Sequence, residues 1–183
     1  MNKFIIDMSA LTVLYVVLPF PILYLLHDME EIIMANRWLE RHREKLLTQF
    51  PQFRVIIRHL LKLDTLAFAI AAAEEIIILL LAAAAILVDI PYSVLIWSGL
   101  FMAFALHLVL HLIELFLIRN YVPGTVTAIL SIPYVIYSGN MIVHAFPCMH
   151  LLIATLCGVA FMFGNLLLAQ HLGIKISNLL HRR

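Results

Sequence analysis

The stretch that decides the fold is Ala71–Ala85, AAAEEIIILLLAAAA, in which two adjacent glutamates interrupt an apolar run. The surrounding run from Leu66 to Val88 is long enough to cross a bilayer, which takes about 20 apolar residues in a helix. A carboxylate at membrane depth costs about 2.5–3.5 kcal/mol on insertion scales. No lysine or arginine lies at that depth in the sequence to neutralise Glu74 and Glu75, so both are expected to bind something else.

The whole chain has the composition of an integral membrane protein. Of its 183 residues, 64% are hydrophobic and 13% are charged, whereas soluble domains are about 45–50% apolar and about 25% charged. The length fits a single domain. A net charge of +1 without any basic block argues against nucleic acid as a partner.

Five apolar segments predict an all-α fold, a polytopic membrane bundle with five transmembrane helices. Their bounds are about 8–27, 66–88, 94–118, 122–138 and 148–170. The first segment is expected to be retained rather than cleaved as a signal peptide, because no A-x-A site follows it. Pro19 and Pro21 are expected to kink this first span.

Residues 36–64 form the only strongly polar stretch, and they include seven lysines and arginines. Pro51 divides the stretch into two short amphipathic pieces, which predicts two helices on the membrane surface. Because basic loops remain cytoplasmic, the amino terminus is expected outside and the carboxyl terminus in the cytoplasm. The predicted location is the inner or plasma membrane of the cell.

Histidines and carboxylates share helix faces on two further spans. One face is formed by His27, Glu30 and Glu31, and the other by His107, His111 and Glu114. The other members of each set lie three, four or seven residues after its first histidine, so the side chains of a set lie on one side of a helix. At about 1.5 Å per residue from the nearest cytoplasmic charge, the estimated heights are about 15 Å for His27, Glu74 and Asn165, and about 12 Å for His111.

Polar groups at similar heights on four spans predict one shared site. Imidazole and carboxylate together predict a divalent metal, one or two ions, with iron or zinc favoured. Di-iron carboxylate bundles use Glu-x-x-His motifs on facing helices, and here the reversed order gives the same face. The predicted ligands are His27, Glu30, Glu31, Glu74, Glu75, His107, His111 and Glu114, and Asn165 is predicted to support them by hydrogen bonding.

Several of these residues also fall in a family pattern. The stretch His27-Asp28-Met29-Glu30-Glu31 resembles the signature of the HXXEE-motif family of small integral membrane proteins. Further elements of the resemblance are Asn120-Tyr121-Val122-Pro123-Gly124 with Thr127, Glu74-Glu75, and the pair His107 and His111. The resemblance implies a membrane protein with a polar His/Glu site, and it implies no particular reaction.

Three functions compete at this stage. The favoured one is a metal-dependent enzyme that acts on a lipid or other hydrophobic substrate, by oxidation with iron or hydrolysis with zinc, with Glu31 and Glu75 as the catalytic carboxylates. The second is a cation or proton transporter, for which a homodimer could supply the symmetry missing from five spans without a repeat. The third is a non-catalytic scaffold in which the polar cluster joins helices.

Overall fold

The computed structural model describes residues 12–181, and every regular element in that range is a helix. The predicted all-α class is therefore confirmed. In chain order the α-helices are α1 (Pro19–Gln49), α2 (Arg54–Leu60), α3 (Thr65–Leu87), α4 (Ser93–Ile118), α5 (Thr125–Ala145) and α6 (Cys148–Leu180). All except α2 are long and apolar enough to cross a membrane. The chain is thus an integral membrane protein with five candidate spans in its described part.

Helix α1 is longer than the sequence predicts. A π-helical turn, Val13–Val17, precedes it, and Pro19 lies in its first turn, where a missing amide hydrogen costs nothing. The prolines therefore begin a helix instead of kinking the middle of one. The predicted start of the span at Met8 lies outside the described residues.

The first of the two predicted surface helices is not a separate element. Helix α1 continues without a break to Gln49, so the amphipathic stretch from Asn36 onward is a polar extension of that helix. Only the second piece is separate, as a 3₁₀ turn at Pro51–Phe53 followed by α2. The break falls at Pro51 because proline excludes the helical conformation for the residue before it.

The polar extension of α1 packs on the carboxyl-terminal end of α4. Lys45 Nζ donates to the carbonyl of Ile118 at 3.2 Å, which satisfies one of the carbonyls left free at a helix end. Leu46 and Ile57 are buried together with Ile118 and Val122 in a small apolar cluster. The amphipathic segment therefore closes the bundle at this end.

Helix α3 begins at a capping carboxylate. Asp64 accepts hydrogen bonds from the Ala67 amide at 2.7 Å and from the Ser177 hydroxyl at 2.6 Å. The pKa of Asp64 lies below its ordinary value, and the hydrogen bond from Ser177 is the largest cause. This residue thus joins the start of α3 to the end of α6.

The last two helices correct the predicted bounds. Helix α5 continues to Ala145, so the loop predicted for residues 139–147 is reduced to Phe146 and Pro147. Helix α6 continues ten residues past the predicted end of the fifth span, from 170 to Leu180. Hydrophobicity marks only the part of a helix that lies in lipid. Both helices continue beyond that part, because polar residues can continue the pattern of backbone hydrogen bonds.

Small residues bring α4 and α6 into backbone contact. A Cβ atom placed on Gly158 would lie 2.2 Å from the Gly99 carbonyl oxygen, and one on Gly99 would lie 2.4 Å from the Ala154 carbonyl oxygen. Close approach at small residues is how membrane helices gain packing energy without a hydrophobic driving force. Further along the bundle, Phe20, Trp97 and Phe101 form a fully buried aromatic layer.

Candidate metal centre

Helix α1 contributes His27 and Glu31, which are one turn apart. The His27 side chain is completely buried, and its Nε2 atom lies 3.9 Å from Glu31 Oε1. The ring packs edge-on against Phe104 of the aromatic core, with centroids 5.8 Å apart. Burial among apolar groups fixes the ring, so its Nε2 atom is held in one direction.

Helix α4 contributes His107 and His111, also one turn apart, on the face that meets α1. His107 Nε2 lies 3.1 Å from His27 Nε2 and 3.1 Å from His111 Nε2. His111 Nε2 in turn lies 3.0 Å from Glu31 Oε1. Three imidazole nitrogens and one carboxylate oxygen thus converge, and one such atom from each residue lies within 4.8 Å of all the others.

These spacings fit a metal ion at the centre of the four atoms. Ligand bonds of about 2.0–2.1 Å in tetrahedral geometry place ligand atoms about 3.3 Å apart. Three of the measured separations are 3.0–3.1 Å and a fourth is 3.9 Å. Imidazole nitrogen with carboxylate oxygen is a donor set suited to zinc and iron. We call these four residues, His27, Glu31, His107 and His111, the His/Glu cluster.

A hydrogen-bond chain sets the protonation of His27. Thr127 Oγ1 donates to Glu30 Oε2 at 2.6 Å, which uses its only proton, and lies 3.0 Å from His27 Nδ1. His27 therefore donates through Nδ1, and its Nε2 atom is left with a lone pair pointed into the cluster. Carboxylate-linked histidines of this kind are typical of metal sites.

Glu30 faces away from the cluster and holds the start of α5. Its carboxylate accepts from the Thr127 amide at 2.8 Å, the Val126 amide at 3.3 Å and the Tyr121 hydroxyl at 2.7 Å. A carboxylate at a helix amino terminus is favoured by the free amides and the helix dipole. Burial first, and then the Glu30 carboxylate, raises the pKa of Tyr121 above its ordinary value, so the tyrosine remains a donor.

Gly124 provides the space that the two rings need. Its φ is +89°, and an added Cβ would lie 2.7 Å from His111 Cε1 and 2.9 Å from His27 Cε1. A side chain at this position would be strained by the left-handed backbone and would displace both imidazoles. The turn before α5 therefore covers the His/Glu cluster directly.

The comparisons with known proteins fit this geometry. The family described as proteins of unknown function with an HXXEE motif matches residues 18–138, more than half of the chain. The chain belongs to this family. No curated protein and no solved structure matches it.

The structure shows the contacts of the histidine and of both glutamates of the HXXEE motif. The histidine and the last glutamate enter the His/Glu cluster, and the first glutamate, Glu30, holds the turn that covers it. The second signature predicted from the sequence is explained by the same contacts, since Tyr121 bonds Glu30 and Gly124 contacts the rings. In this HXXEE-family chain the two motifs, far apart in sequence, are two halves of one site.

The adjacent glutamates that define the second span lie apart from the cluster. Glu74 accepts a hydrogen bond from Asn165 at 2.9 Å, so Asn165 supports a glutamate, as predicted, but not a ligand of the cluster. Glu75 accepts a hydrogen bond from the Tyr24 hydroxyl, and its Oε1 atom is buried without a hydrogen-bond partner among the described residues. The two carboxylates thus face different helices, because adjacent helical residues are about 100° apart.

Glu114 lies on the other side of a cluster histidine. Its Oε2 atom is 3.6 Å from His111 Nδ1, the ring nitrogen opposite the converging one. That nitrogen is buried and makes no hydrogen bond in the part of the chain that the structure describes. Glu114 is therefore placed to orient His111 rather than to join the four converging atoms.

An elongated cavity of about 600 Å³ adjoins the His/Glu cluster. Its α1 wall includes Tyr24, Asp28 and Glu31 near the cluster and Leu46 at the other end, a distance of about 33 Å along the helix axis. Glu75 also lines it, so the cavity connects that carboxylate with the cluster. Most of the remaining wall is apolar, which is typical of sites for hydrophobic ligands.

Sequence reasoning left three residues of this region without a role. Thr127 entered only through the family resemblance, and neither Tyr24 nor Asp28 was singled out. Asp28 is 6% exposed, and its Oδ2 atom has no hydrogen-bond partner. A signal for Asp28 existed, because it lies three residues before Glu31 and one turn after Tyr24, on the same face of α1.

Proposed function

We propose that the protein is a membrane-embedded, metal-dependent enzyme that acts on a lipid or another hydrophobic substrate. The observation that carries this proposal is the convergence of three imidazole Nε2 atoms and one glutamate oxygen beside an apolar cavity. If the cluster only joined helices by hydrogen bonds, each imidazole would need a donor or acceptor of its own. Here His107 Nε2 lies 3.1 Å from two other Nε2 atoms, an arrangement that a cation satisfies and hydrogen bonds satisfy poorly.

One ion accounts for the geometry better than two. The remaining predicted ligands Glu30 and Glu74 have their carboxylates occupied by hydrogen bonds from Thr127 and Asn165. Glu75 is bonded to Tyr24. The proposed ligand set is therefore the His/Glu cluster, with Glu114 and Thr127 orienting its histidines.

The chain supplies the rest of the site. When bound here, iron would supply redox chemistry for oxidising the substrate, and zinc would supply Lewis acidity for hydrolysing it. The apolar cavity would exclude water and hold the substrate chain against the cluster. Glu75, with one carboxylate oxygen free of hydrogen bonds, would accept a proton at that oxygen, and Glu31 would remain a ligand.

A transport pathway is less well supported. The bundle is filled with aromatic side chains on the side of His27 that faces away from the polar extension of α1. These are Phe20, Trp97, Phe101 and Phe104, all at most 1% exposed. A cation or proton route would need polar groups continuing to both membrane faces. The site is therefore proposed to open only toward the cytoplasmic half, in a plasma or inner membrane, with the carboxyl terminus inside.

Elemental analysis of the purified protein tests the proposal. We expect about one zinc or iron ion per chain, lost in the variants His107→Ala, His111→Ala and Glu31→Ala. His144→Ala is the matched control, because that histidine hydrogen-bonds the Asn140 carbonyl of its own helix at 2.7 Å and does not belong to the His/Glu cluster. This variant should retain the metal.

Two results would contradict the proposal. Wild-type protein without stoichiometric metal after purification and after incubation with zinc or iron(II) would exclude the metal centre. Loss of metal in Glu74→Gln to the same extent as in His107→Ala would contradict the single-ion ligand set, since Glu74 contacts Asn165 instead of the cluster.

A further inference from the structure

Two buried carboxylates line the cavity beside the His/Glu cluster, and each has an oxygen without a donor. Asp28 and Glu75 are 6% and 9% exposed, and within residues 12–181 neither Asp28 Oδ2 nor Glu75 Oε1 has a hydrogen-bond partner. Both residues line the cavity. A buried acceptor without a donor costs about 1–3 kcal/mol and more when it is charged, so these oxygens indicate a ligand that donates hydrogen bonds.

The charge of the cavity wall also favours a ligand that donates hydrogen bonds over an anionic one. Asp28, Glu31, Glu75 and Glu114 line it, and within residues 12–181 no lysine or arginine does. An anionic head group placed there would meet like charge in a region of low dielectric. A metal ion bound by the His/Glu cluster would offset Glu31 and leave Asp28 and Glu75 uncompensated.

The shape of the cavity fits an aliphatic chain. From the carboxylate end the cavity continues past Trp38 and Leu39 to Leu46, and α4 closes it with Leu110 and Leu117. Leu110 and Leu117 line the cavity and are more than half exposed, so an aliphatic chain can contact them there.

We propose that this cavity binds a single-chain lipid whose polar end is a hydrogen-bond donor, an amine or an alcohol, and that it rejects fatty acids and phospholipids. The polar end lies between Asp28 and Glu75, and the chain extends along α1 toward Leu46. That this lipid is the substrate rests on the proposed function, whereas its binding does not.

Binding of three lipids with the same chain tests the inference. Protein stripped of metal with a chelator, in a non-ionic detergent, is titrated with palmitylamine, palmityl alcohol and palmitic acid, and complexes are counted by native mass spectrometry. We expect one amine or alcohol per chain and binding of the acid weaker by about tenfold or more, a difference of about 1.4 kcal/mol. In Asp28→Asn/Glu75→Gln protein the difference should largely disappear.

Two variants of α3 test the location. Ala71 lines the cavity, whereas Ala73, two residues away, is exposed outside it. Ala71→Phe should abolish binding of the amine and the alcohol, and Ala73→Phe should leave it unchanged. Palmitic acid binding as tightly as palmitylamine, or Ala71→Phe binding like Ala73→Phe, would overturn the inference.

The metal content of the same preparations separates this inference from the proposed function. Selective binding by a protein that never acquires metal would retain the cavity assignment and remove the enzyme. Stoichiometric metal in a protein without head-group selectivity would retain the metal centre and remove the cavity assignment.

Discussion

At the scale of single residues, the site depends on how each histidine is oriented. In each histidine, Nε2 is the ring nitrogen that points into the His/Glu cluster. A small rotation of the ring would move that atom away from the other ligand atoms. His27 is held through Nδ1 by Thr127, and His111 has Glu114 on its Nδ1 side. The oriented lone pairs follow from these contacts, because a neutral imidazole donates at one nitrogen and accepts at the other.

Replacing Thr127 by valine tests this orientation. The change removes the hydroxyl between His27 and Glu30 with little change in shape, so His27 loses its fixed tautomer. We expect metal affinity to fall by about 10–100-fold, measured by competition with a chelator of known affinity. Thr127→Ser keeps the hydroxyl and should bind metal like the wild type; equal affinity in Thr127→Val would contradict the role of the hydrogen-bond chain.

Gly124 makes a second prediction at this scale. Gly124→Ala would place a Cβ 2.7 Å from His111 Cε1 at a φ of +89°, which combines a clash with about 1–2 kcal/mol of backbone strain. We expect metal content to fall sharply and the thermal midpoint to drop.

The matched control for this change is Gly164→Ala in α6. No atom lies within 4 Å of a Cβ added there, and alanine favours a helix by about 1 kcal/mol over glycine. That variant should be as stable as the wild type or more so. A Gly124→Ala protein with full metal content would show that the turn does not touch the rings.

At the scale of elements, the site is made by two helix faces and one turn. Helix α1 presents His27 and Glu31, α4 presents His107 and His111, and the turn before α5 closes over them through Gly124. The polar extension of α1 matters because it packs on the end of α4, which fixes the two faces relative to each other.

The start of α3 gives a prediction about pH. Hydrogen bonds from Ser177 and Ala67 lower the pKa of Asp64 in the folded protein. A carboxylate with a lowered pKa stabilises the fold fully above its unfolded pKa of about 3.9 and loses this effect as the pH falls through the folded value. Asp64→Ala should therefore lower the free energy of unfolding by about 1 kcal/mol at neutral pH, and by less in acid.

Denaturation in detergent at several pH values measures this difference. The control is Asp64→Asn, which keeps an oxygen to cap Ala67 but does not titrate. Its stability difference from Asp64→Ala should be independent of pH. A wild-type advantage that persists unchanged below the folded pKa would contradict the assigned hydrogen bonds.

At the scale of the whole molecule, metal binding is expected to stabilise the fold. The four cluster residues come from α1 and α4, whose pairing exists only in the folded bundle. A ligand at 100 times its Kd stabilises the state that binds it by about 2.7 kcal/mol. Removing metal with a chelator should thus lower the thermal midpoint of the wild type and leave that of His107→Ala unchanged. Equal shifts in both proteins would place the metal elsewhere.

The sequence by itself determined the membrane class, the all-helical fold and the approximate position of each span. These properties depend on runs of apolar residues, and the bilayer imposes a length and a helical backbone on any such run. The same reasoning placed His27, Glu74, His111 and Asn165 at similar heights, because helical rise and turn are fixed numbers.

Only the tertiary structure decided which carboxylates join the histidines. Glu30, Glu74 and Glu75 were predicted as ligands together with Glu31, yet they bond Thr127, Asn165 and Tyr24 instead. The partner of each carboxylate depends on the rotation of its helix about the helix axis and on the course of α1 beyond the lipid region. Both are set by packing between helices distant in sequence, which helical periodicity does not contain.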